Sequence, residues 1–358
     1  MSQQAKQSVK IIKQNVGIDI SKDDFKVSFW QLKSDQSTRI KGTRTFKNNL
    51  SGFKALILWM TKKTSEGVSI QITIEATGVY HESLVHFLHD RDYRVSVVLP
   101  NMSKAYSRSL NLKTKTDKVD ANMLGQMGIE RDLRQWQPKT ANMHLLKQLT
   151  RDRVQLLDEK TSTSNRLHAL THSYQPNKTV KKRMKKRIKL LDSQLKEVEA
   201  QIVELVQADE KLSLIMDNIC KVKGLGIITV ATILAETNGF ELFTSREQVV
   251  SYAGYDVVQR ESGSSIKGKT RISKKGNSFI RRALYFPALS VVQHEPQFKQ
   301  MFLRIVKRNS IKMVAYVAVQ RKLLLLIYAL VNKQQPYDPE YHKQNIQANL
   351  ENMTLVEN

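Results

Sequence analysis

Four acidic residues stand where a folded chain has to account for them. Asp19 lies inside the β-branched run VGIDIS, read as the centre of a first strand, and Glu75 closes a second such run, TIEATG. Strands are depleted in Asp and, less strongly, in Glu, and an unpaired carboxylate among apolar neighbours is costly. Asp117 and Asp120 are three apart in KTDKVDANML and project from one face of a helix start. Alone, Asp117 reads as an N-terminal helix acid favoured by the macrodipole and Asp120 as a first-turn partner of a nearby Lys. Together, acids on three elements could hold two divalent metals about 3.5–4 Å apart, which activate an attacking oxygen and stabilise a leaving one on phosphate. Mg²⁺, or Mn²⁺ in its place, suits such all-oxygen ligands. That is nuclease-like chemistry.

A second segment with chemical potential is the polar loop QRESGSSIKGKTRISKKGN, residues 259–277. It has too few apolar side chains to bury a face of its own, and long loops of this kind are functional or disordered. Lys267, Lys269, Arg271, Lys274 and Lys275 could position phosphates and stabilise charge in phosphoryl transfer, while Gly263, Gly268 and Gly276 would let backbone approach a polyanion. On residue chemistry alone, Ser-Gly-Ser-Ser reads first as an ordinary turn.

The elements that must position these residues follow from periodicity. Residues 15–30 read as strand, turn and strand, Thr43 to Phe46 as a third strand, and residues 69–78 and Arg94 to Leu99 as two more. Helical spacing over Leu50 to Met60 and His81 to His89 alternates with them, which predicts an α/β domain with a mixed sheet over residues 10–135. Residues 141–210 contain no Gly, and Ile188, Leu191, Leu195, Val198, Ile202 and Leu205 recur at the steps of a coiled-coil seam. A helical hairpin with its tip near Pro176 is predicted there. Lys178, Lys181, Lys182, Arg183, Lys185, Lys186, Arg187 and Lys189 make that tip strongly positive, and Lys182, Arg183 and Lys186 are candidate nucleic-acid contacts. A mainly helical domain is predicted over 212–333, with an extended tail over 334–358.

Composition narrows the partners. The chain of 358 residues is long enough for two or three domains, and Lys and Arg exceed Asp and Glu by 25, a field that attracts polyanions. The apolar run Leu323 to Val331 is about half of what a spanning helix needs, and no amphipathic anchor or export signal is evident, so no membrane partner is expected. Cys220 is the single cysteine, which excludes an internal disulfide and a paired-thiolate zinc site. No G-x-x-x-x-G-K-[ST] phosphate loop occurs. The expected setting is the cytoplasm, in association with the nucleoid.

Weaker signals keep both readings open. Lys223-Gly224-Leu225-Gly226 is either a phosphate-binding hairpin or a tight turn between packed helices. Arg281 and Arg282 could meet phosphate or lie on a solvated helix face. His168 and His172 are better read as surface or packing residues than as metal ligands, because no third ligand is near in sequence. Trp30, Trp59 and Trp136 are better read as core or interface residues than as base-stacking platforms.

The segments GIDISK, IEATGVYHE and KTDKVDA resemble those of the DEDD-type insertion-sequence transposases, which include the Piv-like DNA invertases and the bridge-RNA-guided recombinases. Downstream, KVKGLGIITVATILAE, SREQVVSYAGY, ESGSSIKGKTRISKKGNSFIRRALYFPAL and PYDPEYH resemble the same family's second domain. The departures are extra residues before the first strand and a longer basic arm around 174–189. The resemblance implies a RuvC-like, RNase H-type first domain with Asp19, Glu75, Asp117 and Asp120 as its metal-binding tetrad. It also implies a serine nucleophile at Ser262, with Ser264 and Ser265 as neighbouring alternatives, that holds one strand end as a phosphoserine ester. Donor and target DNA and a guiding bridge RNA are the implied partners. Synapsis of two duplexes needs several active sites and a long apolar seam can pair subunits, so a homodimer that becomes a tetramer on nucleic acid is expected. A metal-dependent RuvC-like structure-selective nuclease that uses water is the alternative; a non-enzymatic basic scaffold is the third reading.

Overall fold

The computed structural model describes residues 9–76, 78–114, 116–138, 140–241, 243–259, 261–262, 266–268 and 270–340, with backbone alone at 261–262 and 266–267. The chain divides into two compact units, Met1–Pro138 and Lys139–Asn358, so the arm and the helical region predicted as separate domains fall in the same unit.

In the first unit, β1 (Ile11–Ile20), β2 (Asp24–Lys33) and β3 (Thr38–Lys47) form an antiparallel meander. After α1 (Leu50–Thr61), β4 (Ile70–Glu75) returns parallel to β1; α2 (Glu82–His89) then leads to β5 (Arg94–Val98), parallel to β4. The resulting order β3-β2-β1-β4-β5 is the predicted mixed sheet. Alternation buries Val27 and Phe29 of β2 with Val16, Ile18, Ile72 and Ile74 in the core, where Phe53, Leu56 and Met60 of α1 pack with them. Asn49 starts α1 by accepting the backbone N–H of Gly52 at 3.0 Å. Two helices complete the unit, α3 (Pro100–Ser109) and α4 (Asp117–Glu130). The polar sequence of α3 hides it from periodicity, while Pro100 at its first turn marks where it begins. Trp59 is buried in the core, and Trp136 packs edge-on to His86 and His89 at 4.9 and 5.5 Å, as expected of packing tryptophans.

The second unit opens with α5 (Ala141–Thr171) and α6 (Lys178–Gln207), an antiparallel hairpin. Its ion pairs run in opposite chain directions: Arg153 to Glu199 at 2.6 Å, then Lys160 to Asp192 at 2.5 Å. Of the predicted seam, Leu191, Leu195, Val198 and Ile202 are buried, with Ile188 and Leu205 half-buried. The helical core then collects α7 (Glu210–Cys220), α8 (Ile227–Thr237), α9 (Arg246–Ala253), α10 (Ser278–Ala283), α11 (Tyr285–His294), α12 (Pro296–Asn309) and α13 (Lys312–Lys333). Between α9 and α10 the described residues include the two-residue strands β6 (Val257–Val258), β7 (Glu261–Ser262), β8 (Ile266–Lys267) and β9 (Arg271–Ile272), paired β6 with β9 and β7 with β8.

One apolar segment is longer than the sequence run suggested. By length and composition α13, at mean hydropathy 1.7 over its most apolar window, could cross a membrane. Its residues Val319, Leu323, Leu324 and Ile327 are buried in the helical core, and Arg321 and Lys322 interrupt it midway.

Candidate active site and family

The four acids of the first unit converge, and one face of β1 explains how. Lys13, Asn15, Gly17 and Asp19 alternate onto the same face, and α4 lies across them in the opposite direction. Lys13 Nζ donates to the carbonyl of Ile129 at 2.9 Å, and Asn15 Nδ2 donates to that of Gly125 at 2.9 Å. A Cβ on Gly17 would stand 2.1 Å from the nitrogen of Gly125 and 2.3 Å from the carbonyl oxygen of Ala121. Each two-residue step along the strand, about 6.6 Å, is matched by a four-residue step along the helix, about 6 Å. The next step brings the first turn of α4, with Asp117 and Asp120, to Asp19. Thr116 caps that turn by accepting the N–H of Val119 at 3.3 Å.

Glu75 arrives from the parallel neighbour. Ile18 pairs with Ile74, so Asp19 and Glu75 are consecutive in register at the carboxyl ends of β1 and β4. The buried bond from Thr73 Oγ1 to Asn15 Oδ1, 3.1 Å, confirms that these two rows share a face. Asp19 is therefore near the end of its strand and half-buried, not at the strand centre, because β1 begins as early as Ile11.

Burial, then the charges of Asp120, Asp117 and Glu75, push the Asp19 carboxyl up to about 6, against the opposing pull of Lys26. Lys26 is the cross-strand partner of Asp19 on β2, and its amine binds the Asp117 carboxylate, holding that group below the usual range. Sequence reading missed Lys26. The signal was present in ISKDDF, where a short turn places residues 19 and 26 opposite each other. As the side chains stand, no three His, Cys, Asp or Glu among the described residues are grouped closely enough to hold a metal ion. The set nevertheless fits a hard divalent cation in its chemistry: oxygen donors only, with a mutual repulsion that such a charge relieves. Asp117 has a 62% exposed side chain, so packing does not lock its rotamer.

In the second unit, the loop after β6 is fastened at its exit. Ser273 donates from N to the Asp256 carbonyl at 2.8 Å and from Oγ to the Asp256 carboxylate at 2.7 Å; Asn277 N donates to the Tyr252 carbonyl at 2.7 Å. Arg271, Lys274 and Lys275 are exposed on this stretch. Gly276 serves packing here: a Cβ would stand 2.4 Å from the Tyr252 carbonyl oxygen. Ser262 and Lys267 lie on β7 and β8, where Ser262 pairs with Ile266, and their side chains fall outside the described residues. Ser264, Ser265 and Lys269 lie outside them altogether.

Several weaker expectations meet a structural explanation. Arg281 Nη1 donates to the Ala253 carbonyl at 2.7 Å, and Arg282 forms a two-point pair with Asp158 at 2.6 and 2.7 Å, so both guanidinium groups are engaged inside the unit. The backbone N–H of Lys223 is taken by Glu295 Oε1 at 3.2 Å, and Gly224, at φ 103°, packs against Ser290, which makes this segment the tight turn rather than a phosphate cradle. His168 and His172 stack at 4.3 Å on the exposed arm, as surface residues. Lys182, Arg183 and Lys186 are exposed on α6.

Comparison with known proteins accounts for both units. A DEDD-type transposase family model matches residues 16–176, and a second, described as Transposase IS116/IS110/IS902 family, matches residues 216–303. Over 333 residues the chain is 31% identical to the pilin gene-inverting protein of Moraxella bovis, covering 92% of this chain and 98% of that one. The chain belongs to the IS116/IS110/IS902 transposase family. A 42 kDa insertion-element IS900 protein of Mycobacterium paratuberculosis is 25% identical over 177 residues, 49% of this chain and 43% of its own. Among solved structures, RuvC of T. thermophilus in complex with a Holliday junction substrate aligns to 34% of this chain and 99% of its own at 10% identity, with a TM-score of 0.26. The first transposase match spans all four acids, and the second spans the loop that carries Ser262.

Proposed function

We propose that this family member is a DNA transposase or site-specific recombinase in which Asp19, Glu75, Asp117 and Asp120 surround divalent metal, Mg²⁺ or Mn²⁺, and Ser262 is the nucleophile. The observation that carries the reading is the convergence of four carboxylates from β1, β4 and α4, with Asp19 pushed up to about 6. Such a concentration of negative charge is costly to a fold that does not use it. When bound, the cation offsets that charge and polarises a phosphate oxygen.

The protein's own groups supply the rest. The Ser262 hydroxyl attacks the scissile phosphorus, the bond to the leaving sugar oxygen breaks, and that oxygen leaves with a proton. A phosphoserine ester conserves the cleaved bond for rejoining, in agreement with a sequence that lacks a nucleotide phosphate loop. Lys267, Lys269, Arg271, Lys274 and Lys275 hold the neighbouring phosphates. An RNase H-like catalytic unit, a coiled-coil arm that pairs subunits into a dimer and then a tetramer on nucleic acid, and a bridge RNA that pairs with donor and target DNA complete the reading. Base pairing then supplies sequence choice while the protein reads backbone.

Incubation with Mg²⁺ and element-end DNA, followed by denaturing electrophoresis, tests it. A DNA-linked protein band that disappears in Ser262→Ala is the expected result. The four acids come from residues 1–138 alone, which favours water-driven hydrolysis as the second reading. Metal-dependent nicking without an adduct, unchanged in Ser262→Ala, would establish that reading instead.

A further inference from the structure

The charge at the tip of the arm is organised. Lys178, Lys181, Lys182, Lys185, Lys186 and Lys189 follow the steps i, i+3, i+4, i+7, i+8 and i+11, which is one face of α6. They line a groove of about 840 Å³ together with Gln175 and Pro176 of the turn. From Lys160 to Leu191 the chain carries ten Lys and Arg and no acid. Lys160 pairs with Asp192 and Arg187 with Glu159, while none of the six groove lysines forms an ion pair among the described residues.

Nothing in the hairpin itself gains from this pattern. Like charges at i+3 and i+4 oppose helix formation, and cations in the first turns oppose the helix dipole. Asn177 caps α6 from its side chain, and no acid stands in its first turn to balance the positive end. An external polyanion relieves both penalties. A second, separate feature specifies its form. Tyr174 at the turn is 91% exposed, and its hydroxyl accepts from Nε2 of Gln175, one of the groove residues, at 3.2 Å. A duplex keeps its base faces stacked inside, whereas an unpaired strand offers them to an aromatic ring.

We propose that the arm tip binds an unpaired nucleic-acid segment, with its phosphates along the lysine face of α6 and one base stacked on Tyr174. The stripe is about 16 Å long, the span of a few consecutive phosphates of an extended strand. Single-stranded RNA and single-stranded DNA share this chemistry. The inference rests on the nucleic-acid reading above, yet its test uses binding alone and does not depend on strand cleavage.

The test measures anisotropy of labelled single-stranded RNA, single-stranded DNA and blunt duplex DNA with the full chain across a salt series. In Lys178→Gln/Lys182→Gln/Lys186→Gln the logarithmic salt slope for single strands should become shallower by about 2. Tyr174→Ala should weaken single-strand binding by about tenfold or more, while Tyr174→Trp preserves it and duplex binding is unchanged in both. The strand type that responds identifies the ligand. An unaltered salt slope in the triple variant, with helicity intact by circular dichroism, overturns the proposal; so does equal loss of single-strand and duplex binding in Tyr174→Ala. Adduct formation that persists in either case leaves the recombinase reading standing.

Discussion

Arg151 Nε and Nη2 donate to the two carboxylate oxygens of Glu236 at 2.7 and 3.0 Å, and the Glu236 side chain is completely buried. Asn277 Nδ2 donates to the same carboxylate at 2.7 Å while its Oδ1 caps α10, so one acid ties the root of the arm to the exit of the serine loop. Burial alone would raise Glu236; the hydrogen bond from Arg151, the charge of Lys147 and the bond from Asn277 together hold it below the usual range.

Removing Glu236 leaves the partly exposed Arg151 and the half-buried Asn277 without their shared acceptor. Glu236→Ala is expected to cost about 1–3 kcal/mol, read by urea unfolding, because the half-exposed Arg151 regains water. Because the folded carboxyl titrates below its ordinary value, its contribution is complete above the ordinary range and is lost as pH falls through the lowered value. The wild type should therefore lose stability on acidification more steeply than the Ala variant. By contrast, Arg282 and Asp158 are 45% and 60% exposed, and Asp158→Asn should change stability by less than about 1 kcal/mol.

The approach of α4 to β1 depends on two glycines. A Cβ on Gly17 would meet the backbone of Gly125 at 2.1 Å, and one on Gly125 would meet the Trp30 ring at 2.2 Å. Gly17→Ala and Gly125→Ala are each expected to destabilise by about 1–3 kcal/mol and to displace the first turn of α4. Weakened Mn²⁺ binding by calorimetry, in a variant still folded by circular dichroism, would register that displacement.

Asp19 should have the opposite pH signature to Glu236. Its folded value is raised to about 6, so its ionisation costs stability as pH rises from the ordinary carboxyl range through about 6. The shift corresponds to at most about 3 kcal/mol, reduced to about 1–2 kcal/mol by solvent at a half-buried carboxyl. Without added metal, Asp19→Asn should be more stable than wild type at pH 8 and indistinguishable from it at pH 4. Added Mn²⁺ should raise the melting temperature of the wild type and leave Asp19→Asn nearly unmoved.

Lys26 competes with a metal for Asp117. Lys26→Gln should bind Mn²⁺ more tightly and show lower stability without it, since the four acids then lose their compensating amine. Equal Mn²⁺ affinity in the two proteins would remove Lys26 from the site.

Local order decided much of what could be read in the chain itself. Period-two runs placed β1, β2, β4 and β5, and the three-four spacing of Leu191, Leu195, Val198 and Ile202 identified the arm, because alternation and helical pitch are short-range consequences of backbone geometry. The acids of VGIDIS and TIEATG were conspicuous because their types conflict with the strands that hold them, whereas those of KTDKVDA suit a helix start and stood out by their three-residue spacing. Pairings across the chain belonged to the tertiary structure alone. Glu236 reads as one more polar residue in IITVATILAE until α5 brings Arg151 to it, 85 positions away. Gly17 and Gly125 are unremarkable until a helix and a strand are pressed together. Such contacts depend on which faces meet after collapse, and no local periodicity encodes the meeting of two surfaces.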